Sequence, residues 1–180
     1  GMKATIEVAT PYHIEMALKA EIDILWLGAR TTASPFAMQE IANSLKGTDI
    51  PIFVKNPINP DIELWIGALE RLAHAGVNRL AAIHRGFSTY GDTTYRNTPI
   101  WEIAAELRSR IPQLPILCDP SHIGGKSELV KPLAEKALHL NYNGFFIETH
   151  INPSKALSDS RQQITPEALH QLLTELNIKL

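Results

Sequence analysis

Ionisable residues gather where short apolar runs end. The run 24–27 leads into Arg30, 52–54 into Lys55, 80–83 into His84 and Arg85, 116–118 into Asp119 and His122, and 144–147 into Glu148 and His150. A charged residue after one such run is ordinarily a solvated loop residue. The same placement after five of six runs is not expected by chance. Two subsets separate by charge. Arg30, Lys55 and Arg85 put three cations together in a chain whose formal net charge is −2. Arginine offers a planar fork and lysine a point charge, which together suit a small substrate bearing a phosphate and a carboxylate. The competing reading pairs each arginine with an acid such as Asp23 or Glu102.

The second subset is His122, Glu148 and Asp159. One imidazole and two carboxylates suit a divalent ion of intermediate hardness: Mn, Fe, Co or Zn. These residues lie far apart in the chain, so no local spacing motif supports them, and His84 and His150 offer the same ligand chemistry. Cys118 next to Asp119 and near His122 invites a nucleophile reading. Strand parity opposes it, because residues 116 and 118 share one face of the strand and 117 and 119 the other. A cysteine in an apolar strand then reads as a small buried hydrophobe. Trp26, Trp65 and Trp101 sit on apolar periodic faces and read as packing. Residues 86–96, polar and glycine-containing, read as a long loop over the site and a candidate lid.

The elements that must position these groups are βα units. Apolar runs at residues 5–9, 24–27, 52–54, 80–83, 116–118 and 144–147 alternate with amphipathic segments at 11–21, 35–46, 61–75, 100–110, 126–139 and 165–177. Thr10-Pro11, Ser34-Pro35, Pro60-Asp61 and Thr165-Pro166 mark helix starts, and Gly47, Gly76 and Asn141 mark ends. Strand starts recur at roughly 19 to 36 residues, the size of a βα unit. The strands are apolar throughout and not alternating, so both faces are expected to be covered, as in a parallel sheet. Two architectures fit: an open doubly wound sheet, or a (β/α)8 TIM barrel lacking two of its eight units. The first strand is not followed by a dinucleotide fingerprint and there is no P-loop, which favours the barrel.

Composition narrows the class. The chain has 180 residues, is 44% hydrophobic and 20% charged, and carries one cysteine. That describes one folded domain over residues 1–180, with no intrachain disulfide framework, suited to a reducing cytoplasm. An isoelectric point near 6.4 gives no reason to expect a nucleic-acid or membrane partner. No signal peptide and no apolar stretch of membrane-spanning length is present. Gly1 before Met2 reads as a cleavage scar.

A set of motifs then occurs in order: Gly28-Ala29-Arg30-Thr31, Val54-Lys55-Asn56-Pro57, His84-Arg85-Gly86-Phe87, Cys118-Asp119-Pro120-Ser121-His122, Ile147-Glu148-Thr149-His150, Ala156-Leu157-Ser158-Asp159 and Gln162-Gln163-Ile164-Thr165-Pro166. Together they resemble the class I 3-deoxy-D-arabino-heptulosonate-7-phosphate (DAHP) synthases, especially the forms fused to chorismate mutase. The resemblance implies a (β/α)8 barrel and a metal-dependent aldolase-type transferase. It would condense phosphoenolpyruvate with erythrose 4-phosphate, in the shikimate pathway of aromatic amino acid biosynthesis.

By the same resemblance, Arg30, Lys55 and Arg85 would hold phosphoenolpyruvate, with backbone contact from Ala29 and a flanking role for Glu7. His122, Glu148 and Asp159 would be metal ligands, and Lys55, Asp119 and His122 would act at the reacting centre. It also sets Ala4-Thr5-Ile6-Glu7 at the family's third strand. The family's fourth metal ligand, a cysteine in a Gly-Pro-Cys strand end, has no counterpart here. A barrel of six units would expose two strand edges, which predicts a homo-oligomer. Three alternatives stand beside this reading: an inactive barrel fragment bound to a partner chain, a 3-deoxy-octulosonate 8-phosphate synthase-like enzyme using arabinose 5-phosphate, and a module that keeps only the anion site.

Overall fold

A computed structural model describes residues 1–91 and 94–178. Six strands form one sheet: β1 (Thr5–Glu7), β2 (Ile24–Leu27), β3 (Ile52–Lys55), β4 (Leu80–His84), β5 (Ile116–Cys118) and β6 (Gly144–Phe145). Every pairing is parallel, and the order is sequential from β1 to β6. A doubly wound sheet reverses direction at a switch point, whereas sequential winding is that of a barrel.

Curvature follows from one contact. The rings of Trp26 on β2 and Phe146 just past β6 lie 5.3 Å apart, edge to face. Four strand spacings of about 4.8 Å would separate them by roughly 19 Å in a flat sheet. The sheet therefore rolls, and its two ends approach across the interior.

Among the described residues eight α-helices accompany the strands: α1 (Pro11–Lys19), α2 (Ala29–Thr32), α3 (Pro35–Ser44), α4 (Ile62–His74), α5 (Trp101–Arg110), α6 (Pro120–Gly124), α7 (Val130–His139) and α8 (Pro166–Glu175). Side chains of Thr10, Ser34, Asp61 and Thr165 cap the first turns of α1, α3, α4 and α8 by accepting from backbone N–H groups. Leu25, Leu27, Ile52, Val54, Ala82, Ile116 and Cys118 pack with helix residues in the main core, fully buried. The alternate residues Ile24, Trp26, Phe53 and Leu117 face the rolled interior and are only partly covered.

Three expectations are adjusted. The helix expected over 126–139 opens as a 3-10 turn at Ser127–Leu129 and becomes α-helical at Val130. Pro132, which has no N–H to donate, then sits in the first α-helical turn, where no partner is required. The strand expected over 144–147 shortens to two residues, and Thr149 beyond it bridges to Ile164. The short helices α2 and α6, unforeseen in the sequence, begin directly after strand ends. Among the described residues no helix is long and apolar enough to cross a membrane.

Candidate functional site

The site opens at the carboxyl end of the strands as a cleft of about 560 Å³, whose lining includes Glu7, Trp26, Ala29, Arg30, Lys55, Arg85, Arg96, Asn97, His122 and Asp159. Its floor is Lys55, nearly inaccessible to solvent at the end of β3. The Lys55 Nζ lies 2.9 Å from Asp119 Oδ2 and over the rings of Trp26 and Phe146, at 4.5 and 4.8 Å. Trp26 is thus part of the site and not packing alone. It points the opposite way from Leu25 and Leu27, into the rolled interior. Trp65 is fully buried, and its Nε1 donates to the Val54 carbonyl at 3.2 Å.

Asp119 follows β5 and caps α6. Its Oδ1 accepts from the His122 backbone N–H at 2.9 Å, with Pro120 in the first turn. The i, i+3 spacing brings the His122 ring back over the carboxylate, with Nδ1 2.8 Å from Oδ2. That contact lacks hydrogen-bond alignment, and the buried Nδ1 has no hydrogen-bond partner. Burial is the largest influence on the Asp119 carboxyl and pushes its pKa up. His122 and the Lys55 charge outweigh it, so the net shift is downward and the carboxylate stays ionised.

Arg85 is fixed by amides. Buried Asn56 accepts from the Arg85 N–H at 2.7 Å and donates to the Gly86 carbonyl at 2.8 Å, and Arg85 Nη1 donates to Asn97 Oδ1 at 2.7 Å. Burial lowers the guanidinium pKa most; Asp119 opposes this, and neighbouring Arg96 and Arg30 add to it. Arg85 Nε is buried without a hydrogen-bond partner. Among the described residues neither Arg30 nor Arg85 forms an ion pair with an acid. Asp23 accepts instead from the Ala4 N–H at 2.8 Å. Glu7 packs against Gly28 at the rim, beside Ala29 and Arg30.

His122, Glu148 and Asp159 converge. Each offers one ligand atom, and all of these atoms lie within 4.8 Å of one another. The Thr149–Ile164 bridge closes the chain between them. His150 N donates to the Ile164 carbonyl at 3.0 Å, and Ile164 N to the Glu148 carbonyl at 3.2 Å, so Asp159 on the enclosed loop returns beside Glu148. Asp159 itself has φ 51°, a left-handed conformation that aspartate tolerates better than most residues.

The other two candidate ligands, His84 and His150, make different contacts. His84 is wholly buried on the helix-facing side between the Tyr142 hydroxyl at 2.8 Å and the Pro99 carbonyl at 2.5 Å, and burial pushes its pKa down to about 4. His150 Nδ1 accepts from the Asn152 N–H at 2.9 Å. The Cys118 thiol is buried, which pushes its pKa up and leaves it protonated.

Of the loop over 86–96, Asp92 and Thr93 lie outside the described residues. Its base is tied: Phe87 and Thr98 exchange two backbone hydrogen bonds of 2.8 and 2.9 Å. Nothing in the sequence alone marks Asn56, Arg96, Asn97 or Gln162 for a role in the site. Neutral amides carry no ionic signature, and Arg96 ends the long loop read as a candidate lid.

Fold and site together define a protein of (β/α)8-barrel type, with six parallel strands among the described residues and cations and a metal-capable cluster at their carboxyl end. The chain belongs to the DAHP synthetase I family, which it matches over residues 1–179. It is similar to the phospho-2-dehydro-3-deoxyheptonate aldolase of Thermotoga maritima, 34% identical over 154 residues, covering 86% of this chain and 44% of that protein. A shorter match links it to the 2-dehydro-3-deoxyphosphooctonate aldolase of Wolinella succinogenes, 47% identical over 53 residues, or 29% of this chain and 20% of that one.

The crystal structure of the Thermotoga maritima DAHP synthase superposes with a TM-score of 0.86 at 28% identity, covering 98% of this chain and 50% of that one. A truncated form of 3-deoxy-D-arabino-heptulosonate 7-phosphate synthase from the same organism gives the same TM-score and identity, with 65% of its length covered. The chain thus spans less than half of the Thermotoga enzyme's sequence.

Proposed function

We propose that the chain carries the catalytic face of a 3-deoxy-7-phosphoheptulonate synthase, joining phosphoenolpyruvate to erythrose 4-phosphate. The observation that carries this reading is the presence in one cleft of Arg30, Lys55 and Arg85 beside the His122, Glu148 and Asp159 cluster. Family membership and the Thermotoga relative support the choice of reaction.

Lys55 and Arg85 bind the phosphate and carboxylate of phosphoenolpyruvate from the floor and Arg30 from the rim, with the Ala29 backbone beside it. The buried, unpartnered Arg85 Nε fits an incoming anion. Glu7 lines the same cleft. Carbon 3 of phosphoenolpyruvate attacks the aldehyde carbon, forming the new carbon–carbon bond, and the aldehyde oxygen takes a proton. Water adds at carbon 2. The resulting hemiketal phosphate breaks its carbon–oxygen bond to release inorganic phosphate and leave a ketone. Lys55, held by Asp119, keeps the enol phosphate oriented and offsets its charge through these changes. The added water loses one proton and the aldehyde oxygen gains one, so the protons balance.

The donor set of His122, Glu148 and Asp159 fits a divalent ion such as Mn²⁺, Fe²⁺, Co²⁺ or Zn²⁺, with His122 Nε2, which faces Glu148 Oε1 at 3.6 Å, as the nitrogen offered. Bound there, the ion supplies Lewis-acid polarisation of the aldehyde. The test is turnover of the purified chain with Mn²⁺ and phosphoenolpyruvate, offering erythrose 4-phosphate and arabinose 5-phosphate separately. Phosphate release with erythrose 4-phosphate is expected. Release with arabinose 5-phosphate alone would transfer the chain to the octulosonate class, which the Wolinella match makes the relevant comparison. Release with neither would contradict an active chain.

A further inference from the structure

Gln162 is almost wholly buried, with 1% of its surface exposed, and its two ends face opposite chemistry. Its Nε2 donates to Glu148 Oε2 at 2.7 Å, and its Oε1 accepts from Arg96 Nη1 at 2.6 Å. The same Arg96 nitrogen donates to Asp159 Oδ1 at 2.6 Å. An unbroken polar chain, Glu148–Gln162–Arg96–Asp159, therefore joins two carboxylates of the cluster that arise from separate stretches of backbone. A guanidinium only donates and an ionised carboxylate only accepts, so the amide between them has one permitted orientation. The chain engages one oxygen of each carboxylate. The other Glu148 oxygen, Oε1, lies 3.6 Å from His122 Nε2.

The surrounding backbone holds this chain in place. Gly125 has φ 67°, and a Cβ there would come within 2.5 Å of Arg96 Cβ, so α6 ends flush against Arg96. Next along, Asn97 Nδ2 donates to the His122 carbonyl at 2.7 Å, which links the third member of the cluster to the same segment. Gln162 N donates to the Asp159 carbonyl at 3.1 Å and keeps the short turn between them closed.

We propose, on the reading of His122, Glu148 and Asp159 as a divalent-cation site, that Gln162 is its positioning residue. It fixes Glu148 directly and Asp159 through Arg96 before the cation arrives. Two carboxylates this close repel each other; the amide donor and the guanidinium offset that repulsion and set their spacing. Ligating carboxylates are tuned by such outer partners, whose loss typically weakens metal binding about 10- to 100-fold.

The experiment is equilibrium Mn²⁺ binding to the substrate-free chain, read from the electron paramagnetic resonance of free Mn²⁺, for the wild type, Gln162→Met, Arg96→Lys and His122→Ala. Gln162→Met keeps the volume and removes both hydrogen bonds; near-ultraviolet circular dichroism establishes that it is folded at the temperature used. The expected result is saturable wild-type binding, weakening of about 10- to 100-fold in Gln162→Met, and loss in His122→Ala. The visible spectrum of the Co²⁺-loaded chain should shift in Gln162→Met, a signature that packing loss with unaltered ligands would not produce. Should Gln162→Met fail to fold, Arg96→Lys carries the test, with weakening in the same range expected. Wild-type binding with the readable variant unchanged within about twofold would overturn the positioning role and leave the metal site standing. Absence of saturable binding to the wild type would overturn both.

Discussion

Lys55 and Asp119 are charged groups taken almost entirely out of water, and each is tolerable there because of the other. Removing one partner strands the second. Lys55→Met is therefore expected to destabilise the chain by about 3–5 kcal/mol in urea unfolding. Arg30→Met, at an exposed position, should change stability by no more than about 0.5 kcal/mol. Equal effects would refute the burial account. His84 makes a second residue-scale prediction. Its folded pKa is about 4 against an ordinary 6.5, so between these values the unfolded chain binds the extra proton and the folded one does not. Stability then falls on acidification, by about 2 kcal/mol between pH 7.5 and 5. His84→Asn should flatten that slope in urea midpoints measured at the two pH values. An unchanged slope would mean that His84 is not held neutral.

At the scale of elements, the segment that returns from the loop to Arg96-Asn97 is wedged between the ends of β4 and β5. Gly86 has φ 77°, and a Cβ there would lie 2.6 Å from the Asn97 carbonyl oxygen. Gly86→Ala should cost about 1–3 kcal/mol and displace Asn97 from Arg85, which weakens phosphoenolpyruvate binding as well as thermal stability. A variant of wild-type stability and affinity would show that the wedge is slack.

The strands and long helices could be placed from the sequence because apolar runs, capping residues and prolines are local signals. Arg30, Lys55, Arg85, Asp119 and His122 could be found because each lies within a few residues of a strand end. The approach of Asp159 to Glu148 depends on a loop closed by the Thr149–Ile164 bridge, which no local pattern encodes. Asn56, Asn97 and Gln162 act through hydrogen bonds alone, so nothing in their residue type distinguishes them from surface amides. Trp26 is indistinguishable from packing in the sequence because strands buried on both faces show no alternation from which to read an inward side.

For the whole molecule, the rolled sheet ends at β1 and β6, and Ile24, Trp26, Phe53 and Leu117 remain only partly covered on its inner face. All three residues of β1 are exposed. Among the described residues no further strand pairs with the outer edge of β1 or β6, and open edges beside apolar surface favour association. Sedimentation velocity should show the isolated chain forming dimers or larger species as its concentration rises; a strict monomer across that range would contradict this expectation. The cations at the carboxyl end of this half-barrel make it a candidate site for phosphoenolpyruvate. Calorimetric titration of the chain with phosphoenolpyruvate tests it most directly. The expected result is saturable one-to-one binding that Arg85→Ala abolishes or weakens at least about 10-fold, the loss expected for a charged anion contact. No heat of binding, or binding indifferent to Arg85, would contradict it.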